Sequence, residues 1–426
     1  MRKMKDSGID WIGQIPQDWN VGKTKDIFIR VNEKAREEKP VVLSLARSGV
    51  KIRDISTGEG QLAESYNNYN PVKINDLLLN PMDLYSGANC SVSKVEGVIS
   101  PAYINLRTKG DNNSSYYDYY FKTQYWAMAL FAHGKGVSFD NRWTLGLEAA
   151  MNYFVPIPNE EEQIKIANFL DEKVTEIDKV IEKTKETIEE YKKYKQSIIN
   201  EMVTKGLDKD DKMKVSGVDW INKIPEKWQV YRTKEFFEFG KGLPITKANL
   251  INDGEKVISY GQIHSKSNTG TNVKEELYRY VSNEYLKSNY QSIVKYNDFI
   301  FADTSEDLDG CGNCVYIDKN INVFAGYHTI ILKPKVKDDM KYFAYLFLTD
   351  AWRSQIRSRV SGIKLFSITQ KILKETTIII PEKKERENIV KYLDKKCSDI
   401  DNLIKKKENL ITELENYKKS RIYESV

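Results

Sequence analysis

The sequence predicts an α+β protein built as an internal tandem duplication, in which two mostly-β globular regions alternate with two long helices. Three observations support this prediction. Two stretches have heptad patterning, a short signature occurs twice, and the segments between signature and helix read as strands separated by turns. The predicted boundaries are 1–157 for the first globular region, 158–207 for the first helix, 208–380 for the second globular region and 381–426 for the second helix.

The first long helix is predicted from Pro158 to Leu207. Apolar residues recur every seven positions on two seams, and charged residues fill the spaces, which is the pattern of a coiled coil. No proline interrupts the stretch after Pro158, and roughly 45 residues rising ~1.5 Å each would make a rod of about 65–70 Å. The residues expected to pair are Leu170, Val174, Ile177, Ile181 and Ile188.

The second helix repeats the first after 223 residues, so that Leu170-Asp171 returns as Leu393-Asp394. Polar residues interrupt both seams at matching positions, which favours pairing of the two helices within one chain. The alternative is that each helix forms a separate homodimer. The pairing residues predicted in the second helix are Leu393, Ile400, Ile404 and Ile411.

A signature opens each half of the chain. The segment "SGIDWIGQIPQDWNVGKTKDIF" at 7–28 returns as "SGVDWINKIPEKWQVYRTKEFF" at 216–237. Agreement at this many positions identifies a duplication whose unit is far longer than the repeats of solenoid proteins. We expect the tryptophans and prolines of the signature to anchor an irregular segment onto its globular region.

The two inserts between signature and helix hardly resemble each other in sequence. The first contains the strand candidates "VVLSL", "LLLN" and "GVISPAYINLR", and the second contains "EKVISYGQI", "DFIFAD", "NCVYIDK" and "VFAGYHTIILKP". Each insert then has one predicted helix, "YYDYYFKTQYWAMALF" in the first and "MKYFAYLFLTDAWRSQIRSRV" in the second. Mostly-β inserts followed by helices place the chain in the α+β class.

Composition excludes some classes of protein. The 426 residues are 40% hydrophobic and 11% aromatic, which is ample for globular cores. No stretch approaches the ~20 apolar residues of a membrane span, and with only four cysteines we expect a cytoplasmic protein. The net charge of +5, from 66 basic and 61 acidic side chains, neither requires nor excludes a polyanionic partner.

Catalytic motifs are not recognisable in the sequence. "NPMD" at 80–83 lacks the second proline and the stacking aromatic of an amino-methyltransferase loop, and "EFGKG" at 238–242 has the wrong spacing for a methyl-donor loop. A Walker lysine loop is also missing. We therefore predict a chain without catalytic activity of its own.

The cysteines offer one alternative. Cys311-Gly-Asn-Cys314 has the spacing of a zinc knuckle, but Cys90 and Cys397 are too far away in sequence to form an obvious second pair. A small turn between two strands explains the motif without a metal. We therefore predict no metal site.

The two signatures, the "SPAYINLR" strand, the helix start at Pro156–Asp171 and the duplication together resemble the DNA-specificity subunit of type I restriction-modification systems. The resemblance covers the whole chain. The second helix departs from the pattern at Glu387–Asn388, where the first has Ile164–Lys165. The resemblance implies two target-recognition domains, at 1–157 and 208–380, separated by an antiparallel pair of helices with pseudo-twofold symmetry.

The resemblance also implies partners. The chain would read a bipartite, asymmetric site in double-stranded DNA, with two methylation subunits docked on the helices and restriction or translocase subunits joining them; no membrane is involved. S-adenosylmethionine, Mg²⁺ and ATP would be bound only in partner subunits. Two other functions stay open: a single-chain modification enzyme with unrecognised motifs, and a coiled-coil adaptor without a DNA role.

DNA contacts require exposed side chains that reach phosphates or base edges. Candidates in the first globular region are Arg47, Lys51, Arg53, Ser86, Asn89, Lys135 and Arg142. Candidates in the second are Lys241, Lys247, Gln262, His264, Lys266, Thr304, Ser305, Arg357, Arg359 and Lys364. Any one of them has a simpler reading as a solvated surface group.

Overall fold

The computed structural model describes residues 2–36, 40–56, 63–82, 84–85, 89–138, 143–362 and 364–426. The chain forms two compact units. Unit 1 comprises Met1–Lys185 with Glu408–Val426, and unit 2 comprises Glu186–Lys407. Each unit therefore combines one globular region with a section of each long helix.

Unit 1 contains short strands and few helices. Its strands are β1 (Met4–Asp6), β2 (Gln14–Pro16), β3 (Asn20–Lys23), β4 (Phe28–Arg30), β5 (Leu43–Ala46), β6 (Gly49–Ile52), β7 (Asn70–Val72), β8 (Leu77–Leu79), β9 (Cys90–Val92), β10 (Gly97–Ile99), β11 (Ile104–Thr108), β12 (Gly134–Lys135), β13 (Thr144–Leu145) and β14 (Phe154–Ile157). Its helices are α1 (Thr24–Ile27), α2 (Ser114–Trp126), α3 (Leu147–Asn152), a 3-10 turn (Leu130–His133) and the first part of α4 (Glu160–Lys205).

Unit 2 follows a similar plan. Its strands are β15 (Met213–Val218), β16 (Ile221–Pro225), β17 (Gln229–Arg232), β18 (Phe237–Lys241), β19 (Glu255–Ile258), β20 (Arg279–Val281), β21 (Ile293–Val294), β22 (Phe299–Ala302), β23 (Thr304–Ser305), β24 (Cys314–Tyr316), β25 (Val323–Ala325), β26 (Thr329–Pro334), β27 (Phe366–Ser367) and β28 (Thr377–Ile380). Its helices are α5 (Thr233–Phe236), α6 (Tyr260–Ile263), α7 (Tyr285–Ser288), α8 (Lys341–Phe347), α9 (Asp350–Arg357), α10 (Gln370–Glu375) and the first part of α11 (Lys383–Ser425). Its 3-10 turns are Lys247–Asn249, Glu275–Leu277 and Tyr290–Ser292.

The centre of unit 1 is an antiparallel sheet with strand order β4-β11-β8-β9. Strand β8 is buried throughout because both faces of the sheet are covered. Leu77 and Leu79 pack with the aromatic side chains of α2, while Leu78 packs on the opposite face with the β5–β6 hairpin. The alternation follows from the two-residue period of a strand.

The centre of unit 2 is a sheet of the same design, with strand order β18-β26-β22-β24. Phe299 and Phe301 pack on the side of α8, and Ile300 packs on the other face with residues of β19 and α6. The inserts hardly resemble each other in sequence, but their central sheets have the same arrangement of strands. They differ in what covers it, because unit 2 adds a second sheet of order β20-β19-β25-β21.

Two of the predicted strands in unit 2 are interrupted. The run "EKVISYGQI" ends as a strand at Ile258 and continues as helix α6, because Gln262 accepts a hydrogen bond from the Ser259 backbone N–H at 3.1 Å and caps the helix. The run "VFAGYHTIILKP" is two strands, β25 and β26, joined by a turn at 326–328. The turn interrupts what the sequence predicts as one continuous strand.

The prediction of a single helix at 340–360 is wrong, because this segment forms two helices, α8 and α9. Helix α8 ends after Phe347, and Thr349 has an extended backbone conformation. The Thr349 hydroxyl accepts a hydrogen bond from the Trp352 N–H at 3.2 Å. This cap satisfies a free amide at the start of α9 and stabilises the break.

The long helices run antiparallel within each unit. In unit 1 the Lys418 ammonium lies 2.6 Å from the Asp178 carboxylate, and Arg421 lies over the ring of Phe169. In unit 2 Lys195 pairs with Asp401 at 2.7 Å. The two bridges are equivalent under the repeat, with the lysine and the aspartate exchanged between the helices.

The predicted seam residues face the interior of each unit to different degrees. Helix α4 begins and ends inside the predicted range 158–207, and α11 inside 381–426. The buried seam residues are Leu170, Ile177, Ile181, Ile188, Leu393 and Ile400. The half-buried seam residues are Val174, Ile404 and Ile411.

Repeated hydrogen bonds fix each globular region to a long helix. The indole N–H of Trp19 donates to Glu162 at 2.8 Å, and in unit 2 Trp228 donates to Glu385 at 3.0 Å. A tyrosine of each unit also donates to an aspartate of its helix at 2.6 Å, in the pairs Tyr119–Asp171 and Tyr345–Asp394. The second tryptophan of each signature, Trp19 or Trp228, therefore binds the first turn of its helix. Among the described residues, no helix has both the length and the apolar character needed to cross a membrane.

Candidate nucleic-acid interface

One edge of the central sheet in unit 2 gathers polar loops. Strands β18 and β22 end there, and β24 and β26 begin there. Strand β27 lies at the same edge because it pairs with β23, which follows β22 directly. The end of helix α6 lies there too, since His264 bonds to the Thr304 carbonyl of β23. We call residues 241–242, 303–313 and 326–328, together with the segment 260–266 and β27, the loop edge of unit 2.

Unit 1 has a loop edge at the corresponding place, where β4 and β8 end and β9 and β11 begin. It comprises residues 31–32, 80–82, 89 and 100–103, with the β5–β6 turn at 47–48 and with strand β12, whose partner strand β13 bonds to Pro81. The Asn80 N–H donates to the Asn89 carbonyl at 2.8 Å, and the equivalent bond in unit 2 joins Ala302 to Asn313 at 3.2 Å. The two edges are thus built on the same backbone pairing.

Three candidates of unit 1 lie at its loop edge. Arg47 is exposed in the β5–β6 turn. The Asn89 side-chain amide donates to the Ala46 carbonyl at 2.6 Å, so it holds that turn against β9. Lys135 is exposed on β12, whose partner strand is bonded to Pro81 through the Leu145 N–H at 2.8 Å.

The other candidates of unit 1 lie elsewhere. Lys51 is exposed near the far end of β6, opposite Ser44. Arg53 follows the same strand and its backbone N–H donates to Val42 at 2.8 Å. Ser86 and Arg142 lie outside the described residues.

Most candidates of unit 2 lie on or beside its loop edge. Lys241 and Lys266 are exposed there. Ser305 is buried and its hydroxyl donates to the Asp307 carbonyl at 2.7 Å. Thr304 donates to Asp303 at 2.7 Å, and the Gln262 carbonyl oxygen caps α6. The lysines are therefore available to a ligand, whereas Ser305 supports the loop.

His264 is half-buried and both of its ring nitrogens are engaged. Nε2 lies 2.8 Å from the Thr304 carbonyl, and Nδ1 lies 3.1 Å from the Asn313 side-chain amide. Because a carbonyl only accepts, the proton resides on Nε2 and Nδ1 accepts from Asn313. His264 thus positions the loops of the edge, and the sequence-based prediction that it contacts a base has no free ring nitrogen to support it.

Arg353 extends this network, and sequence reasoning missed it. Its Nη1 donates to the side-chain oxygen Oδ1 of Asn313 at 2.7 Å and its Nε donates to the Phe347 backbone carbonyl at 2.8 Å. Burial lowers the pKa of the Arg353 guanidinium. Thr304, His264, Asn313 and Arg353 therefore form one hydrogen-bonded chain from the loop edge to helix α9.

The remaining candidates of unit 2 are dispersed. Lys247 is exposed on the 3-10 turn Lys247–Asn249. Arg357 donates to the Asp350 carboxylate at 2.9 Å and to the Asp309 carbonyl at 3.0 Å, which ties α9 to the loop edge. Arg359 and Lys364 are exposed, and Lys364 lies in the segment that leads to β27.

An aromatic group on the loop edge was also missed. Tyr260 lies 5.6 Å from Tyr327 and 5.4 Å from His328, measured between ring centroids. His328 has a positive φ of 55°, and its Nδ1 lies 3.2 Å from the Asp303 carboxylate. The signal that could have revealed the group is the Gly326-Tyr327-His328 break between two buried apolar runs.

The cysteines pack in the core. Among the described residues, no group of three or more histidine, cysteine or acidic side chains is placed to hold a metal ion. Cys311 and Cys314 are both buried in the main cluster of unit 2, and burial raises the pKa of the Cys314 thiol to about 12. A thiol that is so hard to deprotonate is a poor metal ligand.

Comparisons with known proteins match this architecture. Residues 225–415 match the family model of the type I restriction modification DNA specificity domain. The type I restriction enzyme MjaVIII specificity subunit of Methanocaldococcus jannaschii is 22% identical over 422 residues, which cover 95% of this chain and 91% of that protein.

Two solved structures share the fold. A chain from a study of complex assembly and conformational transition in the type I R-M system aligns with a TM-score of 0.69 and 14% identity, covering 96% of this chain and 98% of that one. The HsdS subunit of Thermoanaerobacter tengcongensis aligns with a TM-score of 0.51 and 13% identity, covering 96% and 97%. The α+β prediction is confirmed, and the family model, the curated relative and the shared fold confirm the resemblance to the DNA-specificity subunits of type I restriction-modification systems.

Proposed function

We propose that this chain reads DNA for a type I restriction-modification complex, with each unit contacting one half of a bipartite, asymmetric site. The observation that carries the proposal is the pair of loop edges, which lie at equivalent ends of two central sheets of the same design. A fold that keeps its frame and varies the loops at one edge is suited to reading different sequences with a common geometry.

The chemistry of the two edges supports unlike half-sites. The edge of unit 1 presents Arg47 and Lys135, while the edge of unit 2 presents Lys241, Lys266 and an exposed histidine. Cationic side chains suit phosphates, and histidine, asparagine and arginine suit base edges. Because the two sets differ in residue type and placement, the two half-sites would differ in sequence.

Exposed apolar side chains on the long helices support the docking of partner proteins. A spacing of 11 residues returns to nearly the same face of a helix. In unit 1 the exposed residues with this spacing are Phe169 and Val180, and in unit 2 they are Tyr392 and Leu403 at the equivalent positions. Two equivalent surfaces would bind two copies of a methylation subunit.

The chemistry of methylation and cleavage belongs, in this proposal, to the partners. The methylation subunits would hold S-adenosylmethionine, and the restriction or translocase subunits would use Mg²⁺ and ATP. This chain would hold no cofactor and would work on DNA in the cytoplasm. It would select the site and fix the geometry of the complex.

The test is to express the chain with and without its methylation subunits and map methylated adenines across the genome of the host cell. We expect a bipartite motif only when all subunits are present. Binding of the purified complex to a duplex with the motif and to a scrambled duplex, at two salt concentrations, separates specific from electrostatic binding. Methyl transfer by the purified chain alone, or methylation without a motif, would contradict the proposal.

A further inference from the structure

We infer that His328 is a specificity-determining residue of unit 2, whose ring contacts a base edge, and that Asp303 positions this ring. The inference rests on the proposed function and adds the residue that reads one base of one half-site. His264, the histidine that the sequence favoured, is replaced in this role because its ring nitrogens are both occupied within the protein.

His328 occupies a well-fixed position with an uncommon backbone conformation. It lies in the turn between β25 and β26 with a φ of 55°, in the left-handed region where residues other than glycine are uncommon and where asparagine, aspartate and histidine occur more often than the rest. Its carbonyl accepts from the Asp303 N–H at 3.1 Å, and the neighbouring Tyr327 carbonyl accepts from the Tyr260 N–H at 3.3 Å. A residue held in such a conformation on an exposed loop is a candidate for function.

The hydrogen bonding leaves one ring nitrogen of His328 for a ligand. The Asp303 carboxylate, 3.2 Å away, accepts from Nδ1, so that the proton of the neutral ring resides there. Among the described residues, Nε2 has no hydrogen-bond partner, and the side chain is 58% exposed. A neutral Nε2 accepts from the amino group of adenine or cytosine, and a protonated one donates to guanine.

The surroundings restrict the ring and supply a phosphate contact. Tyr260 and Tyr327 meet the imidazole nearly edge-on, with interplanar angles of 80° and 77°. Two such neighbours and a carboxylate reduce the freedom that the ring would lose on binding. Lys241 is exposed on the adjacent strand, where the next residue, Gly242, bonds to the Thr329 carbonyl at 3.2 Å.

The test is the methylation motif of variants expressed with the methylation subunits in cells that carry a plasmid library of randomised sequence. His328→Asn suits the positive φ and should fold as the parent does. We expect one base position of one half-site to lose about tenfold in discrimination, while the other half-site is unchanged. Asn320→Ala is the control, since Asn320 is exposed beyond β24, at the opposite end of the sheet.

Variants of Asp303 test positioning. Asp303→Ala should relax the same base position as His328→Asn, and Asp303→Asn should restore the parent motif because its amide oxygen still accepts from Nδ1. A parent motif that survives unchanged in His328→Asn, or an equal loss of methylation at every site, would overturn the inference. If the parent chain itself gives no motif, the proposed function fails, which is a separate result.

Discussion

Two equivalent aspartates are expected to respond in opposite ways to the same substitution. Asp76 and Asp298 each precede the second central strand of their sheet, and each accepts a hydrogen bond from the backbone N–H three residues earlier, at 2.8 and 2.9 Å. Asp76 also accepts two bonds of 2.7 Å from Arg107. Among the described residues Asp298 receives no such pair of bonds, because the residue equivalent to Arg107 is Lys333, which donates to the Ile293 carbonyl.

The direction of each effect follows from this difference. Burial raises the pKa of Asp298 from 3.8 to about 6. The stability that its protonated form contributes is complete below pH 3.8 and is lost as the pH rises through about 6. A shift of this size, reduced for partial solvent contact, means that the ionised carboxylate destabilises unit 2 by about 2 kcal/mol at neutral pH. Asp298→Asn should recover this amount, whereas Asp76→Asn leaves Arg107 half-buried without its partner and should cost about 2–3 kcal/mol.

Hydrogen–deuterium exchange of peptides that contain β8 or β22 reports the stability of each unit separately. A single unfolding curve of a two-unit chain does not separate the two stabilities. At pH 7.5 we expect Asp298→Asn to slow the global exchange of β22, and Asp76→Asn to accelerate that of β8. At pH 4 the effect of Asp298→Asn should nearly vanish. Faster exchange of β22 in Asp298→Asn at pH 7.5, or an effect equal at both pH values, would refute the reasoning.

Three further predictions concern packing, the loop edge and modularity. Leu393→Ala should destabilise unit 2 by about 3 kcal/mol because Leu393 is fully buried, whereas Leu403→Ala should leave exchange unchanged and reduce co-purification of the methylation subunit. Asn313→Ala removes one of the two hydrogen-bond acceptors of the half-buried Arg353 and should cost about 2 kcal/mol in unit 2, more than Asn89→Ala costs in unit 1; equal effects in exchange experiments would count against the network. Replacing insert 28–158 by that of a related chain should change one half-site in methylome maps and preserve the other, and a change in both halves would disprove independence.

The long helices and the duplication were predictable because both rest on periodic or repeated sequence. A seam such as Leu170, Ile177 and Ile181 is visible without any knowledge of the partner helix. The duplicated signature was equally plain, since its tryptophans recur at fixed positions. Periodicity and repetition can both be recognised without knowing which residues contact each other in the folded chain.

The common sheet of the two inserts could not be read from the sequence, because a sheet is held by pairings between distant strands. Leu77–Leu79 and Phe299–Ala302 share only apolar character, which many different residues satisfy. The loop edges were predictable only in part. Residue type suggested Lys241 and Arg47, but only the structure places His264 within a network and shows that Nε2 of His328 has no hydrogen-bond partner in the described part of the chain.

The composition of unit 1 has a consequence for the order in which the protein forms during synthesis. Unit 2 is one continuous stretch, whereas unit 1 needs residues 408–426, including the buried Ile422. The Tyr423 hydroxyl bonds to the Thr123 carbonyl across 300 residues of chain. Contacts of such sequence separation are slow to form and come late. The half that leaves the ribosome first is therefore the half that is completed last, and until then its apolar seam depends on chaperones or on another chain for cover.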